Sequence, residues 1–147
     1  MKNALRHYFE TKDEIFNAAS DFSRFQSRKR LDMASRSESY SLVDTLFETL
    51  PTNPQQNIFI KVWMEMNVRS MGSISLAKDS VDSAHNWTRK IIEELQKAKM
   101  NKQINQNLDL EAEGELLALG LIGLITKVII DPENWSKKRQ KNIERYG

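Results

Sequence analysis

Residues 116–130 read Leu-Leu-Ala-Leu-Gly-Leu-Ile-Gly-Leu-Ile-Thr-Lys-Val-Ile-Ile, apolar on nearly every side. Glu111, Glu113 and Glu115 precede the run, where a helix dipole favours acidic side chains, and Asp131-Pro132 stops it. At about 15 residues this helix is too short to cross a bilayer, which needs about 20. A helix apolar all round has to be covered all round. Leu117, Leu121, Leu124 and Val128 lie on one side, and Leu119, Ile122, Ile125 and Ile129 on another. The chain's own helices cover one of these faces. A second copy of the chain is the natural cover for the other, because an isologous contact needs only one self-complementary surface. The expected seam is Leu117, Leu121, Leu124 and Val128, completed by Trp135 at the start of a basic last helix over residues 135–146. A homodimer follows.

The rest of the chain also reads as helix. Only 5 Gly and 3 Pro interrupt 147 residues, so breakers are few and easily placed. Thr11 followed by Glu14 is a capping box, opening a helix from Lys12 to about Leu31 with Ile15, Ala19, Phe22 and Phe25 as its apolar stripe. A second helix spans Tyr40 to Leu50 and stops at Pro51-Thr52-Asn53-Pro54. The third starts near Pro54, turns Phe59, Val62, Trp63 and Met66 inward, and closes at Met71-Gly72-Ser73. In the fourth, Ile74, Ala77, Val81, Ala84, Thr88, Ile91, Leu95 and Ala98 alternate steps of three and four, the signature of one buried seam. Asn101 to Asn107 is a polar loop before the apolar helix. The expected class is all-α, a helical bundle, without internal repeat.

Charge is unevenly spread. Residues 1–36 carry a net +3 and residues 37–134 a net −5, so the N-terminal end suits an anionic partner. No cysteine is present, which excludes disulfides and thiol chemistry. No apolar signal-peptide core opens the chain. A cytoplasmic protein without membrane contact is the expectation.

Catalytic and metal motifs are missing. The two histidines, His7 and His85, have no partner at ligand spacing, and no Gly-rich phosphate loop or nucleophile elbow occurs. Neither an enzyme nor a cofactor or metal site is expected. Phe59, Trp63, Met66 and Trp87 form an aromatic and methionine cluster with Asn67 and His85 as polar handles. It either fills the core or lines a cavity for an apolar small molecule.

The N-terminal stretch Leu5-Arg6-His7-Tyr8-Phe9, with Lys12 three residues on, gathers phosphate-reaching donors beside a helix N-terminus. It resembles the end of the DNA-binding region of TetR-family transcription regulators, where an aromatic pattern closes the recognition helix and a Lys opens the next one. Arg6 stands where that family more often has Tyr. The resemblance implies phosphate contacts from Arg6, His7, Tyr8 and Lys12, and base contacts from Lys2 and Asn3. Downstream, Leu117-Ala118-Leu119, Gly123-Leu124 and Asp131-Pro132 resemble the family's BetI-like C-terminal regions. On this resemblance, residues 1–11 are a remnant of the helix-turn-helix and residues 12–147 an effector-binding and dimerisation domain. The implied function is a repressor whose DNA binding answers to an unknown small-molecule effector. A chain that begins inside the third DNA-binding helix is expected to bind DNA poorly. The alternatives are a dimerising or ligand-binding protein without DNA activity and, last, a small helical enzyme.

Overall fold

The computed structural model describes residues 8–51 and 53–135. The expected last helix, after Trp135, lies outside them. The described residues form five helices and no strand: α1 (Lys12–Ser35), α2 (Leu42–Phe47), α3 (Pro54–Ser70), α4 (Ile74–Met100) and α5 (Leu110–Ile130). No described helix is long and apolar enough to cross a membrane.

Each start has a local cause. Thr11, Ser41, Asn53, Ser73 and Asp109 are extended residues whose side-chain oxygens accept amides of the first turn. At Thr11 the capping box is reciprocal, with Glu14 accepting from the Thr11 amide. Pro54 sits in the first turn of α3, where its missing N–H costs nothing. The stop of α4 is less obvious from sequence. Lys102 takes a left-handed φ of 57°, and the Gln103 amide turns back to donate to the Ala98 carbonyl.

The core lies between α4, α5 and α2. Ile91, Leu95 and Ala98 of α4 meet Leu42 and Leu46 of α2 and Ala118 and Leu121 of α5, all buried. A second cluster joins Leu50, Ile60 and Ile125. α4 and α5 come unusually close at one point. A Cβ on Gly114 would lie 2.3 Å from Cγ1 of Ile92, so only glycine permits this approach.

Two stripes differ from expectation. In α1 the deeply buried residues are Ser20, Ser23, Leu31 and Ser35, while Phe22 and Phe25 are half exposed or more. Phe22 instead packs edge-to-face on Phe59 of α3, with ring centroids 5.3 Å apart, beside the line of closest approach. Two backbones that approach closely leave room for hydroxyl side chains, not rings. In α4 the seam is buried only in its second half: Ile91, Leu95 and Ala98 are covered, but Ile74 is 94% exposed and Val81 52%. The cover, α2 and α5, reaches the C-terminal half of this 27-residue helix.

A buried polar cluster ties the end of α1 to α4. Glu94, 3% exposed, accepts from the Ser35 hydroxyl at 2.9 Å and the Tyr40 hydroxyl at 3.3 Å. Lys97 donates to both the carbonyl and hydroxyl oxygens of Ser35 and lies 4.0 Å over the Tyr40 ring. Nearby, Lys90 of α4 bridges Asp32 of α1 at 2.7 Å and Glu93 at 3.3 Å.

Two outcomes test this packing. Gly114→Ala should destabilise the chain by about 1–3 kcal/mol in urea denaturation, the cost of overpacking, and its effect should be less than additive with Ile92→Ala. Burial, then the charge of Glu94 and its hydrogen bond, push the Tyr40 hydroxyl up from 10.0 to about 12. A folded pKa above the unfolded one gives a contribution that is full below the unfolded value and lost on rising towards the folded one. Unfolding free energy should therefore fall as pH rises through that alkaline window, and Tyr40→Phe should make the fall shallower.

Candidate functional site

A cavity of about 100 Å3 opens between α1, α3, α4 and α5. Its scale compares with the ~150 Å3 apolar cavity that admits benzene. Ile60 and Trp63 come from α3, Trp87 from α4, and Ile122 and Ile125 from α5, giving an apolar wall. α1 brings Ser23, Arg24, Ser27 and Arg28, and α4 adds Ser80, Ser83 and Ala84. Asn67 and Thr49 complete the lining.

Helical periodicity explains which aromatic residues reach it. Positions 60, 63 and 67 are steps of three and four, one stripe of α3, and 80, 83, 84 and 87 are one stripe of α4. Of the expected ligand residues, Trp63, Asn67 and Trp87 thus meet in the cavity. Phe59 and Met66 do not line it, because they share a neighbouring stripe of α3: Phe59 is taken by Phe22, and Met66 is 2% exposed in the core. His85 is also absent. Two residues before Trp87 means about 200° around the helix, and His85 faces a separate surface groove with Arg89, Glu93, Glu111 and Glu115. Among the described residues no group of three or more His, Cys, Asp or Glu could hold a metal ion.

The α1 residues of the lining were not anticipated. Their signal was present: Ser20, Ser23 and Ser27 recur at helical spacing, a stripe too polar for a core and too regular for a loop. Ser23 donates to the Phe59 carbonyl at 2.7 Å, which holds α1 against α3. Arg24 is paired with Asp21 on its own helix, whereas Arg28 has neither ion-pair nor hydrogen-bond partner among the described residues. The Trp87 indole Nε1–H is buried without an acceptor.

The N-terminal candidates divide. Lys2, Asn3, Arg6 and His7 lie outside the described residues. Tyr8 is 82% exposed and Lys12 is exposed at the first turn of α1. Here Glu14 accepts from the Glu10 amide at 2.6 Å, while its own amide donates to Thr11 at 3.2 Å, so the turn is held by its own side chains.

On α5 the helix is rotated relative to expectation. Leu121 and Val128 are buried inside the chain, and Leu117 and Leu124 are half-buried against the two core clusters. The stripe facing inward is Gly114, Ala118, Leu121, Ile125 and Val128. The helix turns outward Leu116, Leu119 and Ile130, all more than 60% exposed, with Gly120 and Gly123 open beside them. Trp135 is half-buried.

No family model matches the chain. A curated relative does. Over 143 residues, 95% of this chain and 68% of that protein, the chain is 30% identical to the HTH-type transcriptional regulator PksA of Bacillus subtilis (strain 168).

Thr11→Ala should remove the hydroxyl end of the capping box and cost about 1 kcal/mol. Amide exchange should quicken first at Asp13 to Ile15, leaving the amides of α4 protected; equal loss in both would show that the cap is not local.

Proposed function

The chain belongs to the TetR family of helix-turn-helix transcriptional regulators, and on that premise we propose that a small-molecule effector in the cavity controls its DNA binding. The observation that carries this is the double role of α1. Its middle supplies Ser23, Arg24, Ser27 and Arg28 to the cavity wall, and its N-terminus carries the turn with Tyr8 and Lys12. From Lys12 to Arg28 the helix rises about 24 Å, at ~1.5 Å per residue. A ligand that favours one position of α1 shifts the turn at its far end. Differential affinity for two such states is what couples effector to DNA. The chain acts as a repressor, with effector releasing DNA.

At the DNA, Tyr8 and Lys12 serve as phosphate contacts, together with Arg6 and His7, while Lys2 and Asn3 face the bases. Phosphate contacts carry no sequence information. The protein works as a homodimer joined through α5. The outward set Leu116, Leu119 and Ile130, with two glycines that permit close helix approach, supports this seam in place of the inward residues. Large apolar residues exposed along one helix face mark an association surface. A dimerising ligand-binding protein without DNA activity is the second reading, favoured only by the well-formed cavity.

Fluorescence anisotropy on labelled duplexes separates the two. Binding to DNA, weakened by Tyr8→Ala and by Lys12→Ala to a similar degree on every sequence and steeply reduced by salt, supports the regulator. Absence of any salt-dependent binding leaves the second reading. In sedimentation analysis, the unmodified chain should be a dimer and Leu119→Glu a monomer, while Lys61→Glu, exposed on α3 and away from the α5 seam, should stay dimeric. A monomeric unmodified chain at micromolar concentration would remove the α5 seam.

A further inference from the structure

Resting on the reading of the cavity as an effector site, we infer that it selects a small organic anion: a carboxylate on an aromatic or aliphatic body of about one ring. Three observations converge. The lining contains two arginines, Arg24 and Arg28, and no Asp or Glu. Arg24 is neutralised by Asp21, but Arg28 keeps a free guanidinium, since the nearest acid on its face of α1, Asp32, is engaged by Lys90. The Trp87 indole N–H is a buried donor without an acceptor. A buried unmade hydrogen bond is costly, and a ligand oxygen satisfies it.

The remaining lining defines the rest of the ligand. Ile60, Ile122, Ile125 and the Trp63 ring system offer apolar surface, which an inorganic anion would leave unused. Asn67, Ser80 and Ser83 have side chains without hydrogen-bond partners among the described residues, so further ligand oxygens are accommodated. A cation would meet Arg28 and Arg24 with nothing opposite. A neutral ligand would satisfy Trp87 and leave Arg28 unpaired at the cavity wall. A carboxylate suits both donors, and guanidinium binds it in a fork.

Three probes share one body: 3-phenylpropanoate, 3-phenylpropanamide and 3-phenylpropylamine. Titration calorimetry and tryptophan emission on the full chain should give the carboxylate about tenfold tighter binding than the amide, the scale of one charge-assisted hydrogen bond. The amine should not bind. Arg28→Gln should abolish the preference for carboxylate over amide, and Arg28→Lys should keep most of it. Trp87→Phe should weaken carboxylate and amide alike. Equal affinity for carboxylate and amide, tighter binding of the amine, or a preference that survives Arg28→Gln would overturn the anion assignment and leave the effector cavity standing. If none of the three probes changes emission or melting temperature at millimolar concentration, the effector reading itself falls, and this inference with it.

Discussion

The buried carboxylate of Glu94 is the contact that sets how α1 sits on α4. A carboxylate removed from water has to be hydrogen-bonded, and here Ser35 and Tyr40 supply the donors while Lys97 supplies the nearby charge. Ser35 ends α1 and Tyr40 precedes α2. Satisfying one side chain of α4 therefore fixes the end of α1, the link after it and the entry to α2. Gln103 extends the clamp from the loop after α4, accepting from the Leu42 amide at 3.2 Å and donating to the Tyr40 carbonyl at 2.9 Å.

With α1 pinned to α4 at its C-terminal end, the remainder of the helix packs along α3. Its middle meets α3 through Ser23 on the Phe59 carbonyl and through Phe22 on Phe59. Its N-terminal half meets α3 where Arg69 lies 3.9 Å over the Phe16 ring. Between these supports the lining side chains of α1 are hydroxyls and guanidiniums, not branched aliphatics. Serine fills less space than leucine, so the cavity exists because α1 brings small polar groups to a place where a core would bring large apolar ones. The same helix that lines the cavity carries the turn with Tyr8 at its N-terminal end.

α5 completes the picture from the opposite side. Its apolar residues divide three ways: Leu121 closes the main core, Ile122 and Ile125 close the cavity, and Leu116 and Leu119 face outward. Gly114 lets α5 approach α4 at one end, while the larger residues further on hold the helices apart where the cavity lies. One helix thus links the core, the cavity wall and the outward face.

The number and order of the described helices were determined by the sequence alone, because caps, prolines and apolar period are local, although the helix expected over Tyr40 to Leu50 is the shorter Leu42–Phe47. Thr11 with Glu14 and Asn53 with Pro54 each mark a start that the structure keeps, and Ser73, read as the close of α3, also caps α4. The all-helical class followed from the same signals. The faces did not follow. Periodicity finds a stripe but cannot say where its cover ends, so Ile74 and Val81 read as buried and stand exposed. An all-round apolar helix such as α5 has no period to read, and only its docking on α4 at Gly114 decides that Leu121 and Val128 turn inward and Leu119 outward. The aromatic cluster was legible as residue types, and Trp63, Asn67 and Trp87 did come together. Their partners on α1 were not, because the distance between two helices is set by contacts far along the chain, and no local pattern records it.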